Sequence, residues 1–305
     1  MKRAASRFFV WIALMGCGGA ATSPAPQMPA LTALDDARGG RLFDHWAREL
    51  GRTDFVPDAR ATAGVPDGQG GPASDGTLRL ADGRALLNDG GHDYRLKNLL
   101  GWDLRGRAGL YGPAHMNKPY VVASDSLAWP GSVREVADRL ERGEGDLPAY
   151  GDVLERHELE EIAAFVVRMR DGELPRAEDV FALTSPDAGH YALREGADGT
   201  RGVLLYAERC ADCHGDDGTA ILFDDGAYSL GSHARQKAYE DWLKILNGQP
   251  GSPMGRQVRG ETAAEIRQEI LDILAALCDR QIFPRGEASA EDVPDGDPRC
   301  GAYLH

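Results

Sequence analysis

Cys210-Ala211-Asp212-Cys213-His214 is the stretch that most narrows what this chain can become. Two thiols with two residues between them can reach the vinyl groups on one edge of a haem and form thioethers. A histidine directly after them is then held under the iron as its proximal ligand. Other uses of paired cysteines fit less well. A zinc knuckle needs a second ligand pair of similar spacing, and the sequence has none. A thioredoxin-like redox pair needs a βαβ surrounding, which the flanking pattern lacks. One covalent haem is therefore the expected cofactor. Cys210 and Cys213 are its expected thioether residues, and His214 its proximal iron ligand.

The chain opens with Lys2, Arg3 and Arg7 ahead of an apolar run from Phe8 to Met15. A charged start followed by a short apolar stretch is the layout of a secretory signal, and the run is too short for a permanent bilayer-spanning helix. Leu14-Met15-Gly16-Cys17 resembles the bacterial lipobox. That resemblance implies a signal peptide over 1–17 and lipid chains on Cys17; ordinary cleavage nearby, with Cys17 incidental, is the alternative. Gly18 in place of Asp after the cysteine is compatible with outer-membrane sorting in Gram-negative lipoproteins. Several acyl chains would anchor the protein stably. The expected location is the periplasmic side of a bacterial membrane, with the membrane contacted through the N-terminal lipid. Residues 18–35, rich in Gly, Ala, Thr, Ser and Pro, cannot bury a core and read as a disordered tether.

With 305 residues, the chain has room for about two domains, and its 42% hydrophobic content is enough to build cores. Acidic residues outnumber basic ones by 48 to 34, a formal charge of −14. That sign repels phosphate backbones and excludes nucleic acid as a partner. The acidity reads as solubility; no localised patch in the sequence points to a basic partner.

The fold class expected is all-α, in two helical domains with long loops. Over 36–185, a helix from near Gly40 carries Leu42, Phe43, Trp46 and Leu50 on one side. Pro57–Asp93 reads as a long surface loop with one hairpin near Thr77–Leu86. Further helices fit Val133–Glu141 and Glu158–Arg170, the latter stopped by Asp171-Gly172. Over 195–305, Arg201–Arg209 is helical and runs into Cys210. A loop over Thr219–Lys237 is followed by an amphipathic helix on Tyr239, Trp242, Leu243 and Leu246, ended by Asn247-Gly248. Thr262-Ala263-Ala264-Glu265 forms a capping box for a closing helix lined by Ile266, Ile270, Ile273, Leu274 and Leu277. Cys278 and Cys300 remain as the unassigned thiols in an oxidising compartment and are expected to pair, clamping the tail; free buried cysteines are the alternative.

A helix that delivers its last turn to C-x-x-C-H is how class I cytochromes c begin, and residues 200–280 resemble them. The resemblance implies that Met254, in Gln249-Pro250-Gly251-Ser252-Pro253-Met254-Gly255, is the distal iron ligand. Packing in the core is the plainer role for Met254. His233 is the runner-up ligand, though its polar surroundings suggest surface exposure. The first half resembles the same group of cytochromes by a degraded motif. Gly40-Arg41-Leu42-Phe43-Asp44-His45-Trp46 matches the opening of a subgroup that begins G-x-x-L-[FY]-D-x-W. Leu147-Pro148-Ala149-Tyr150-Gly151 before the Glu158 helix matches the end of such a domain. Between them lies Tyr94-Arg95-Leu96-Lys97-Asn98-Leu99-Leu100-Gly101-Trp102-Asp103, where that subgroup reads roughly W-R-C-K-E-C-H-G-W-D. Leu96 and Leu99 stand in place of the cysteines and Leu100 in place of the histidine. The first domain is thus expected to be a degenerate, haemless cytochrome c-like domain, its leucines filling the lost volume. His45, His92, His115, His157, His190 and Met116 read as surface or structural residues.

Together these features imply a single-electron carrier with a His/Met-ligated haem and no catalytic residues, serving a redox protein partner. The alternative is a haem oxidoreductase acting on a small reductant such as an inorganic sulfur compound, which would need an exchangeable sixth ligand.

Overall fold

The computed structural model describes residues 34–52, 77–79, 81–87, 95–109, 118, 120–183 and 191–305. The leader, Cys17 and nearly all of the tether lie outside the described residues, as do His92, His115, Met116 and His190. What is described is mainly helical, as expected. Among the described residues no helix is long and apolar enough to cross a membrane.

Each half is built on two helices that cross where a glycine clears the way. In the first half α1 (Asp36–Glu49) packs on α4 (Arg156–Arg170). A Cβ on Gly39 would lie 2.0 Å from the carbonyl oxygen of Glu161. In the second half α6 (Gly199–Arg209) packs on α9 (Ala263–Leu277). There a Cβ on Gly202 would lie 1.8 Å from the carbonyl oxygen of Asp272. Both glycines head the same pattern, Gly39-x-x-Leu42-Phe43 and Gly202-x-x-Leu205-Tyr206. The leucine and the aromatic fall one turn further on and are buried. Phe43 meets Phe165 at 5.7 Å between ring centroids, and Tyr206 meets Phe283 edge-on at 4.6 Å.

Shorter elements fill the intervals. The expected hairpin is formed by β1 (Thr77–Arg79) and β2 (Ala85–Leu87), paired antiparallel. Then come α2 (Leu96–Leu100), α3 (Val133–Arg142) and α5 (Ala177–Val180). Ser132 and Glu135 close a capping box at the start of α3, and Glu155 and Glu158 do the same for α4. A second hairpin, β3 (Phe181–Leu183) with β4 (Tyr191–Leu193), is unforeseen; strands of three residues are too short to display a period. The last elements are α7 (Ala211–His214) and α8 (Leu230–Asn247).

α8 corrects one sequence expectation. The stretch read as loop up to Lys237 is helical from Leu230 onward, with a break in helical geometry at Lys237. Ser229 and Ser232 cap it reciprocally. Its first turns are polar, so no apolar stripe betrays them. They are held instead by Arg235, fully buried, whose guanidinium donates to the carbonyls of Leu277 (3.0 Å) and Phe283 (2.9 Å) and pairs with Asp292. His233, expected at the surface, is buried with them.

The halves share one continuous hydrophobic cluster. Phe181 meets Trp242 edge-on at 6.4 Å, and Trp102 meets Tyr239 at 6.2 Å. Leu96, Leu99 and Leu100 on α2 are wholly buried in it. Charge also crosses the seam. The Asp44 carboxylate pairs with Lys97 of the first half and Lys244 of the second, and the Lys97 ammonium sits 3.5 Å above the Trp102 ring. Asp36 pairs with Arg168 at 2.5 Å and with Arg256 at 2.5 Å.

Candidate haem-attachment site

α6 is fixed on three sides before it reaches Cys210. Asp198 caps its start by accepting the Arg201 N–H, and Arg201 pairs with buried Asp272 at 2.6 Å. At the other end Arg209 pairs with Glu269 at 2.9 Å and donates to the carbonyl of Gln257 at 2.9 Å. Glu269 also accepts the Arg259 N–H, at 2.7 Å. The residue preceding the first cysteine is thus locked to both α9 and the segment that follows Met254.

Cys210 ends α6, and α7 is the single turn Ala211–His214. The His214 N–H donates to the Cys210 carbonyl at 3.0 Å, so the two thiols and the imidazole sit on one tight turn. Gly215 leaves the turn at φ +80°, a left-handed conformation that a side chain would strain. The Tyr206 hydroxyl donates to the Gly215 carbonyl at 2.6 Å and secures the exit. Neither cysteine is in a disulfide; Cys210 is half-buried and Cys213 exposed. Burial pushes the Cys210 thiol up to about 11. His214 is half-buried, and burial lowers its pKa while the charge of Asp241 pulls the other way. Its Nδ1 is buried, with no hydrogen-bond partner among the described residues.

Phe223 stacks on the His214 ring at 5.9 Å between centroids and contacts the His233 ring at 5.4 Å. His233 Nδ1 lies 2.9 Å from an Asp241 carboxylate oxygen. Burial opposes the imidazolium of His233, but the charge and hydrogen bond of Asp241 outweigh it and hold the pKa above its ordinary value. Sequence reading missed this pair. Residues 233 and 241 share a face only if the helix already runs at 233, and the expected start at Tyr239 hid that relation.

Met254 is half-buried in a loop that both halves fasten. Its carbonyl accepts the Gln249 N–H at 2.9 Å, and its own N–H donates to the Ser252 hydroxyl at 3.1 Å. Gly251 donates to Glu49, and Arg256 reaches Asp36 and the Leu246 carbonyl. Gln249 and Pro250 of this loop line a cavity between the halves that Met254 itself does not line. The remaining sequence-designated pair, Cys278 and Cys300, is joined in a disulfide with Cα atoms 5.8 Å apart. It ties the end of α9 to the C-terminal tail.

No protein-family model matches the chain, and no curated protein is significantly similar to it in sequence.

Proposed function

We propose that the chain is a c-type cytochrome, a single-electron carrier lipid-anchored on the periplasmic side of a bacterial membrane. One haem would be held through Cys210 and Cys213, with His214 and Met254 as the residues that bind its iron. When bound, the haem supplies a one-electron Fe(II)/Fe(III) couple. The observation that carries the reading is the α6–α7 turn. It offers two thiols that form no disulfide among the described residues and, directly after them, an imidazole whose Nδ1 is buried with no partner among those residues. That donor set fits a covalent haem, because the thiols form the thioethers and the imidazole reaches the iron.

The protein's own groups do the rest. Arg209 and Tyr206 hold the attachment turn at both ends, so the thiols and the imidazole keep their relative positions. Met254 rides on a loop fixed by Glu49 and Asp36, which limits the entropy lost in holding a thioether on the metal. In this reading the first half is a cytochrome-like domain without haem. Leu96, Leu99 and Leu100 occupy its former cofactor space, and α1 buttresses the distal loop of the second half.

Expression with the cytochrome maturation machinery tests the proposal through pyridine haemochrome and intact mass. One haem per chain, abolished in Cys210→Ser/Cys213→Ser, is expected; a colourless wild-type product would refute the reading. A far-red methionine–iron band that disappears in Met254→Ala is expected from the carrier. Its absence from the wild type would favour the oxidoreductase with an exchangeable sixth ligand.

A further inference from the structure

We infer that Ile221 and Leu222, with Asp212, Asp216 and Asp217 beside them, form a docking surface for a basic redox protein. The complementary patch on that partner is apolar at its centre and ringed by lysine or arginine. The inference rests on the haem proposed above and names the class of partner its electron reaches.

Four large apolar side chains stand exposed among the described residues: Leu204, Ile221, Leu222 and Ile282. Leu204 and Ile282 lie apart, in a groove walled by α6, α9 and the tail. Ile221 and Leu222 are neighbours on one loop that follows the attachment turn.

That loop is firmly held. The Ala220 N–H donates to the His214 carbonyl at 3.0 Å, and Phe223 and Tyr228 exchange backbone hydrogen bonds of 2.8 and 3.2 Å. Between them the chain reverses through left-handed φ at Asp224 (+50°) and Asp225 (+56°). The N–H groups of Ser289 and Ala290 fasten the reversal, donating to the Gly226 and Ala227 carbonyls at 3.0 Å each. Phe223 is half-buried and stacks on His214, while the two aliphatic side chains before it stay in water. A fixed loop that leaves such side chains exposed suits an interaction surface.

Charge selects the partner. Asp217 accepts the Thr219 N–H and hydroxyl at 3.1 and 2.7 Å, which sets it beside the loop. Asp216 precedes it, and Asp212 lies on the attachment turn next to exposed Cys213. All three aspartates are exposed, and none pairs with a cation among the described residues. No lysine or arginine occurs between Arg209 and Arg235, and Arg209 is committed to Glu269. Toward the first half, charge is balanced. Asp224 pairs with Lys237, and Asp225 shares the cavity between the halves with Arg48 and Arg95. Behind the loop, Gly286 lies against Thr219 between Arg285 and Glu287, whose charges offset each other. The uncompensated charge beside the attachment turn is therefore negative. Opposite charge on a partner speeds encounter and fixes orientation, and the apolar centre supplies the contact. A second copy of this chain would bring the same aspartates and meet like charge.

In the step itself one electron passes from the Fe(II) form of this protein to Fe(III) in the partner, and no bond forms or breaks. The experiment uses the reduced full-length holoprotein, with a lysine-rich class I cytochrome c in the Fe(III) state as probe. At low ionic strength, Asp212→Asn/Asp216→Asn/Asp217→Asn lowers the second-order rate constant about tenfold. Asp152→Asn/Glu173→Gln/Glu195→Gln removes the same charge from exposed positions elsewhere and stays within about twofold of the wild type. High salt abolishes the difference. Ile221→Ser slows the reaction about threefold at either salt concentration. Carbodiimide coupling of the wild type to the probe needs no variant and no iron. It joins a touching carboxylate and lysine as an amide, the carbodiimide taking up the water, and the links fall at Asp212, Asp216 or Asp217. Equal slowing in both triple variants, links confined to other carboxylates, or a wild-type rate in Ile221→Ser overturns the inference. So does a holoprotein dimer that Ile221→Ser dissociates, since a second copy would then be the occupant. A wild type without covalent haem refutes the proposed function instead, while the coupling still tests the surface.

Discussion

Glu49 accepts the backbone N–H of Gly251 at 3.0 Å, a hydrogen bond spanning 202 positions of the chain. It joins the end of α1 to the loop that carries Met254. Asp36, at the other end of α1, holds the same loop through Arg256. If the proposed function holds, Glu49→Ala should leave haem attachment intact but loosen the loop that carries Met254. The far-red methionine–iron band should fade at a lower temperature than in wild type. Urea unfolding should show a loss of about 1 kcal/mol, the size of one hydrogen bond to a charged group partly open to water. A band as heat-resistant as that of the wild type would count against the loop anchor.

Gly202→Ala forces a methyl group into the carbonyl of Asp272, where α6 crosses α9. The backbones must separate, and a loss of about 1–3 kcal/mol is expected. Gly199→Ala on the same helix meets no heavy atom closer than 4.0 Å and should stay within about 0.5 kcal/mol of wild type. Denaturant midpoints for the two variants make the comparison directly.

The Cys278–Cys300 bridge closes a loop over a sequence separation of 22. Replacing both cysteines by serine should cost about 3 kcal/mol through the freed unfolded chain. Addition of dithiothreitol should lower the thermal midpoint of the wild type toward that of the double serine variant.

His233 gives stability a pH dependence. Asp241 holds its folded-state pKa above the unfolded value of about 6.5. The imidazolium–carboxylate pair therefore stabilises fully below that value and loses its contribution as pH rises through the folded pKa. Unfolding free energies measured across pH 5 to 9 should narrow the gap between wild type and His233→Gln on the alkaline side. A gap that widens there would be incompatible with the pair.

Leu99 is fully buried on α2, among Leu96 and Leu100. Leu99→Ala should destabilise the protein by about 2–5 kcal/mol, the cost of a cavity in a packed core. If the proposed function holds, haem content should not change, because α2 does not carry Cys210, Cys213 or His214.

What was legible in the sequence, and what was not, follows from range. The α9 capping box, the stripe of α4 and the cysteines of α6–α7 are local patterns, and each stands where its residues predict. The three leucines of α2 were legible as a substitution pattern, and their complete burial follows from side chains with nowhere polar to go. The first turns of α8 were not legible, because Gly231, Ser232, His233 and Arg235 carry no apolar period. The burial of Arg235 is satisfied by hydrogen bonds to the carbonyls of Leu277 and Phe283, more than forty positions away. Arg48 and Arg95 line one cavity because α1 and the segment before α2 come together. No spacing within either segment announces it.

Asp44 has a consequence for how this chain can change. One buried carboxylate answers to two ammonium groups, Lys97 from the first half and Lys244 from the second. Neither half is electrically self-sufficient: excised alone, the second would keep a lysine with no counter-ion, and the first an aspartate missing half its neutralisation. Drift at any of these three positions is thus constrained by the other two. The segments have become joint tenants of one charge, and a gene fragment encoding the C-terminal half alone would inherit an imbalance.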